Sequence, residues 1–211
     1  TPALGHAALS GLYDPAIALL TRERLWRARL LDEVAPSPGE TIIDLGCGTG
    51  SLALAMARRA PEARIIGLDP DADILARAAA KADREGGTVR FVQGFARDAA
   101  TLLGEGLANK VVSSLVFHQL PMAEKRAGLA ASRRALRLGG TLHVADYGRQ
   151  TGVMRLLFRL VQLLDGYENT QPNADGVLPT LMAEAGFGQV REIDLIPTAT
   201  GSISLYRAVR R

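Results

Sequence analysis

Short apolar runs alternate along this chain with longer stretches whose apolar residues recur at helical spacing. Thr41 to Leu45 (TIIDL) follows the breaker Pro36-Ser37-Pro38-Gly39 and reads as a buried parallel strand. Ser51 to Ala60 is rich in Ala and Leu and reads as a helix stopped by Pro61. Arg64 to Leu68 is a second strand. Asp71 stands where an N-cap would open a helix running to about Arg84, closed by Gly86-Gly87. Thr88 to Gln93 and Lys110 to Val116 are the third and fourth strands. Glu124 to Leu138 is a long helix ended by Gly139-Gly140, and Thr141 to Ala145 is the fifth strand. Strand–helix alternation over about the first 145 residues predicts an open, mostly parallel α/β sheet. The rest follows another rhythm. Val153 to Leu164 is a strongly apolar helix, and Leu178 to Ala185 is a helix stopped by Gly186. Gln189 to Ile196 and Ser202 to Ala208 are β-rich runs joined by residues 197–201, which predicts a hairpin. The segment up to Ala35 is helical.

Composition narrows the class without deciding it. The chain has 211 residues, 47% hydrophobic and 22% charged, which suits one folded domain over 1–211 and excludes a disordered or fibrous chain. The net charge of +3 is mild. The basic pairs Arg58-Arg59, Arg133-Arg134 and Arg210-Arg211 read as solvated helix ends or tail, and the aromatic content of 5% offers no stacking surface, so no nucleic-acid partner is expected. The one cysteine, Cys47, excludes an internal disulfide and argues against a thiolate metal site; no metal is expected. No apolar run approaches the roughly 20 residues of a membrane span, and the opening residues lack a secretory pattern, so a cytoplasmic protein without an integral membrane segment is expected. A sequence opening on Thr1 lacks an initiator Met, so upstream residues are expected.

The chemistry concentrates where the first strand meets the first helix. Gly46, Gly48 and Gly50 lie between Leu45 and Ser51, where an open α/β sheet binds ligands and a helix N-terminus offers free N–H groups. The spacing is G-x-G-x-G, preceded by the in-strand Asp44, and not the dinucleotide G-x-G-x-x-G; a P-loop would need a Lys after its last Gly, where Ser51 stands. Asp69 ends the second strand, placed to accept hydrogen bonds from vicinal ribose hydroxyls. Each signal has a plain structural alternative, a tight turn or a surface acid. Together they indicate a nucleoside site.

These residues carry a resemblance. IIDLGCGTGSLAL is similar to motif I of the class I S-adenosylmethionine-dependent methyltransferases, and GLDPDADILARA to the acidic-loop motif that follows it. YDPAIALLTRERLWRARLL, SSLVFHQLP, ALRLGGTLHVADYG and AGFGQVREI resemble the small-molecule branch that includes the ubiquinone/menaquinone biosynthesis methyltransferases. The resemblance implies a Rossmann-like, doubly wound, mostly parallel seven-stranded sheet with a C-terminal antiparallel hairpin, an N-terminal helical cover over 1–35 and a helical lid inserted at 151–177. It implies that Asp44 and the turn Gly46, Cys47, Gly48, Gly50 hold the methionine part of S-adenosylmethionine. Asp69 would bind the ribose, Pro70 and Gly94-Phe95-Ala96 would border the adenine, and Ser114 and Leu115 would line the methionine side. Tyr13 and Arg27 match the family's cover. Phe95 departs from the pattern, because many relatives place there an acid that accepts from the adenine amino group. Either Asp98 reaches in, or backbone groups and Phe95 stacking replace it; a plain core role for Phe95 is the alternative.

The expected reaction passes a methyl group to a small-molecule acceptor at O, N or C, a quinone precursor or secondary metabolite, leaving S-adenosylhomocysteine. Positioning for in-line displacement carries most of that chemistry, and a base is needed only if the acceptor must lose a proton. His118, beyond the fourth strand at the expected rim, is the candidate base, with capping or packing as its structural alternative; His143 reads as a packed polar residue. In the lid, Asp165, Tyr167 and Glu168, with Tyr147 after the fifth strand, are the candidate substrate contacts. Core packing, a homodimer contact and a lipid-facing role are other readings of the apolar helix at 153–164. Competing functions are a cofactor-binding protein without transfer activity, a nicotinamide oxidoreductase and a macromolecular methyltransferase.

Overall fold

The computed structural model describes residues 20–211, so Tyr13 lies outside the described residues. Its sheet has seven strands in the order β3-β2-β1-β4-β5-β7-β6. These are β1 (Thr41–Leu45), β2 (Arg64–Asp69), β3 (Val89–Gln93), β4 (Ala108–Ser114), β5 (Leu136–Tyr147), β6 (Phe187–Thr198) and β7 (Gly201–Arg210). β1 pairs in parallel with β2 and β4, β2 with β3, and β4 with β5, while β7 runs antiparallel between β5 and β6. The order therefore reverses between β1 and β4. That switch point opens a crevice beyond the carboxyl ends of the strands.

Helices α1 (Glu23–Val34), α2 (Ser51–Arg59), α3 (Ala72–Glu85), α4 (Ala99–Leu103), α5 (Met122–Ala135), α6 (Gly152–Asp165), α7 (Tyr167–Ala174) and α8 (Leu178–Glu184) complete the described chain. The side-chain alternation of each strand feeds two cores. Ile42 and Val112 face one layer with Trp26 and Leu30 of α1, Leu52 and Met56 of α2, and Phe158 and Val161 of α6. Ile43, Leu45, Val111, Leu142 and Val144 face the other, with Leu129 of α5 and Leu181 and Met182 of α8. Burial on both faces explains why the strands read as nearly continuous apolar runs.

Several boundaries differ from expectation. The helix before β5 ends at Ala135, and the strand begins at Leu136, which pairs with Ala108; Gly139-Gly140 lies inside the strand, beside a register shift between Ala108 and Lys110. A glycine pair marks a strand irregularity here and not a helix stop. β4 ends at Ser114, earlier than its apolar run, because Leu115 turns the chain with φ 55°. α4 has no counterpart in the expected pattern, and α7 falls within the expected helical lid without having been read as a helix of its own. Pro172 disguises α7, yet it falls near the C-terminal end, where little of the helix remains to be disrupted.

Asp71 caps α3, its Oδ1 accepting from the amides of Asp73 and Ile74 at 2.9 and 3.0 Å. Asp71→Ala is expected to lower the unfolding free energy by about 1 kcal/mol in a urea titration, the usual cost of a lost N-cap.

Candidate active site

The β1–α2 loop is shaped by glycines that serve different ends. At Gly46 (φ +65°) a Cβ would strike Val116 at 2.3 Å, and the Gly46 and Cys47 amides donate to the Leu68 carbonyl at 2.7 and 3.1 Å. At Gly48 (φ +52°) a Cβ would meet nothing within 4 Å and would stand in the crevice itself. The Gly48 amide donates to Asp69 Oδ2 at 3.0 Å, and the Asp71 amide to Asp69 Oδ1 at 3.0 Å. Asp69 is thus 8% exposed and held from both sides, with lone pairs left for further donors.

A pocket of about 200 Å³ opens over this loop, walled by Glu23, Trp26 and Arg27 of α1, by Gly46 to Thr49, and by Ser114 and Leu115. Leu115 holds the left-handed region at φ 55°, a strained choice for a leucine and one that clusters at functional sites. Asp44 is fully buried, and neither carboxylate oxygen has a hydrogen bond of good geometry, although the Ala53 amide lies near enough to favour its charged form. Burial lifts its carboxyl to about 7, against the pull of Arg27 and with a smaller push from Asp69. Trp26 Nε1 and Arg27 Nε are also buried without partners, although Arg27 pairs with Glu23 elsewhere on its guanidinium. A buried carboxylate and two buried N–H donors in one neighbourhood lack partners that a ligand with an ammonium and a carboxylate would supply.

At the other end of the loop, Pro70 and Phe95 are exposed, and Gln93 Nε2 donates to the Pro70 carbonyl at 3.1 Å. Gly94 donates to the Asp69 carbonyl at 3.0 Å, and Ala96 opens a short 3₁₀ turn. Asp98 Oδ2 accepts from the Phe95 amide at 3.2 Å, and the Arg97 guanidinium lies 4.3 Å from the Phe95 ring centre. Phe95 at 48% exposed is not a core residue.

Behind β4 lies a buried polar cluster. His118 Nδ1 sits 2.7 Å from Asp146 Oδ1 and its Nε2 3.3 Å from Asp165 Oδ2. Asp146 also accepts from the amides of Phe117 (2.7 Å), His118 (3.3 Å) and Tyr147 (2.8 Å). Desolvation alone would lower the imidazole, but the two carboxylates outweigh it and raise His118 to about 9. Lys125 donates to the carbonyls of Phe117, Leu120 (2.7 Å) and Asn169 (2.9 Å), and burial lowers it to about 8 despite Asp146. This cluster ties the β4 loop to α6 through Asp165 and to α7 through Asn169.

A family profile described as a methyltransferase domain matches residues 42–140, the part that holds the loop, Asp69 and the β4 end. The demethylmenaquinone methyltransferase of Thermus thermophilus is 35% identical over 58% of this chain, which spans about half (54%) of that enzyme. The ubiquinone/menaquinone biosynthesis C-methyltransferase UbiE of Paracoccus denitrificans is 26% identical, covering 80% of this chain and 74% of its own. The profile match and these relatives support a class I S-adenosylmethionine-dependent methyltransferase. The magnesium protoporphyrin IX methyltransferase of Synechocystis, solved with S-adenosylhomocysteine bound, shares the fold with a TM-score of 0.70 at 20% identity, covering 94% of this chain and 86% of its own.

In this methyltransferase the sequence-derived residues gather unequally. Gly46, Cys47, Gly48, Ser114, Leu115 and Arg27 line the pocket, Asp69 is bonded to the Gly48 amide, Asp44 lies within the electrostatic reach of Arg27, and Gly50 is the N-cap of α2. His118 does not stand at a rim: it is 3% exposed with both ring nitrogens engaged. Tyr147, expected at the mouth, is 4% exposed, its hydroxyl 2.8 Å from Thr200 Oγ1 and its ring against Phe158 and His118. Burial raises its phenol to about 12, so it is a packed residue. Tyr167 and Glu168 are exposed on α7, and Asp165 turns inward to His118. His143 is packed as expected, Nε2 at 2.8 Å from Thr141 Oγ1, with its basicity lowered by burial to about 3. Sequence reasoning missed Trp26, Lys125 and Asp146. An acid inside an apolar strand was the signal available for Asp146.

His118 gains its carboxylate partners only on folding. Because its folded value lies above the ordinary 6.5, the stabilisation is complete below about 6.5 and is lost as pH rises through about 9. Denaturant titrations from pH 6 to 10 are expected to show the stability advantage of the wild type over His118→Gln shrinking across that window.

Proposed function

We propose that this methyltransferase transfers the methyl group to a small molecule, a quinone precursor or a secondary metabolite, and that its own residues act mainly by positioning. The observation that carries the cofactor placement is Asp44: a fully buried carboxylate with no hydrogen bond of good geometry, in the field of Arg27, which lines the pocket with Trp26 and like it keeps a buried N–H without a partner. Asp44 would receive the ammonium of the methionine part, and Arg27 and Trp26 its carboxylate. Asp69 keeps lone pairs for the ribose hydroxyls, and the exposed Phe95 ring, backed by Arg97, offers the adenine a stacking face in place of an acid. The similarity to the demethylmenaquinone and ubiquinone/menaquinone enzymes supports an aromatic, quinone-like acceptor. When bound, the cofactor supplies an already activated methyl on sulfur.

What the chain adds is orientation and, for an acceptor that must lose a proton, a place for it. The chain Asp146–His118–Asp165 would take that proton at Asp165, whose side chain is 22% exposed, while the buried His118 and Asp146 hold that carboxylate in place. Tyr167 and Glu168 remain available as acceptor contacts from α7. The cytoplasm is the compartment that suits a single buried thiol, Cys47.

Titration with S-adenosylmethionine, followed by assay of S-adenosylhomocysteine with a panel of hydroxylated quinols, tests the reading. Binding with product from such an acceptor is expected; binding with no product from any acceptor would favour a cofactor-binding protein without transfer activity. Asp69→Ala is expected to weaken cofactor binding by about 1–3 kcal/mol, the scale of lost bonds to a charged group. Because the free Asp44 carboxyl sits at about 7, cofactor affinity is expected to rise with pH up to about 7, by at most about tenfold per pH unit, and Asp44→Asn should flatten that slope. Calorimetry from pH 5.5 to 8.5 measures both.

A further inference from the structure

Helix α6 is apolar on two opposite sides. Phe158 and Val161 enter the core beside Tyr147, Ile196 and Ile203. The far side carries Val153, Leu156, Leu160 and Leu163, exposed by 67%, 62%, 49% and 80%. Their spacing of three, four and three residues puts them in one solvent-facing stripe. Arg155 and Arg159 run along its flank, where with Gln162, Tyr167 and Gln171 they line an open groove of about 290 Å³ between α6 and α7. Arg155 shares its charge with Asp175 at 3.0 Å. Arg159 makes no ion pair among the described residues.

Four large aliphatic side chains in one exposed stripe form a patch that water disfavours. A second copy of the chain suits it poorly. A two-fold antiparallel pairing of α6 would bring the Arg159 side chains, near the helix middle, together across the axis with no facing carboxylate. A helix of this length offers on the order of a few hundred Å², against about 800 Å² per partner in a stable interface. An anionic bilayer meets both features, with the leucines entering the acyl boundary and the arginines reaching lipid phosphates.

We propose that the outer face of α6 docks this methyltransferase peripherally on an anionic phospholipid surface, through Val153, Leu156, Leu160 and Leu163 with Arg155 and Arg159 at the headgroups. No described helix is long and apolar enough to cross a membrane, so the contact is interfacial. It does not depend on which acceptor is methylated. α6 ends at Asp165, against His118, so docking would bring the bilayer to the edge of the cluster behind β4.

The test is co-sedimentation of the full chain with vesicles of phosphatidylcholine alone or with about one-third phosphatidylserine. At least tenfold stronger partitioning onto the anionic vesicles is expected, falling several-fold between low and high salt. Leu156→Asp with Leu163→Asp should lower partitioning at least tenfold, and Arg159→Glu should remove the anionic preference. The cofactor-induced thermal shift, unchanged in each, shows that the variants fold; should the leucine variant not fold, Arg159→Glu and the salt series decide alone. Equal binding to both vesicles, or none, overturns the proposal. So does a wild-type dimer that Leu156→Asp with Leu163→Asp dissociates and that does not bind vesicles. Vesicle binding gained only after removal of residues 1–19 would assign the face to that segment and likewise overturn it.

Discussion

The carboxylate of Asp69 is gripped on one oxygen by the Gly48 amide and on the other by the Asp71 amide. The site depends on that bidentate hold, because it joins the loop after β1 to the loop after β2. Neighbouring parallel strands fix where both loops begin, since Leu45 pairs with Leu68 and Asp69 with Gln93. They do not fix how each loop leaves the sheet. The two charge-assisted bonds do, together with the bonds from the Gly46 and Cys47 amides to the Leu68 carbonyl. One side chain therefore braces both loops and still has lone pairs left for further donors.

Asp44 stands at the opposite extreme. It lies next to Leu45 in a strand with both oxygens buried and unpartnered, where most buried carboxylates would be bonded. Burial raises its carboxyl to about 7, and Arg27 and Asp69 pull it in opposite directions. A group of that kind is divided between its protonated and ionised forms near neutral pH, and a nearby cation favours the ionised one. Burying such a carboxyl without a bond costs stability, a cost of the kind that functional sites carry.

The sheet was largely legible because its strands are buried on both faces and bounded by Pro, Gly and Asp, and all but β5, which begins at Leu136 and not near Thr141, lie close to their expected ends. The glycine loop, Asp69 and the Asp71 cap were legible for the same local reason: spacing within one strand–turn–helix unit carries them. What stayed hidden is set by contacts across the fold. Nothing near Lys125 in sequence tells that its ammonium is enclosed by carbonyls from the β4 loop and from Asn169. His118 reads from position alone as a rim residue, and only the return of α6 brings Asp165 over it. Tyr147 reads from the sequence as lying beyond the fifth strand and facing a ligand, whereas it ends β5 and is enclosed by Thr200 and Phe158.

The buried cluster also accounts for how the inserted helices are held. α6 brings Phe158 and Val161 to the core, yet much of its remaining apolar surface faces outward, so burial on one side only partly determines where its end lies. The ion pair from Asp165 to His118 and the bond from Lys125 to the Asn169 carbonyl supply directional contacts that an apolar face lacks. Breaking one partner of such a buried set strands the others, so the insertion resists small displacements while it stays charged. Its position over the β4 loop then rests on apolar packing from Phe158 and Val161 together with these directional contacts, and the outer face of α6 takes part in neither among the described residues.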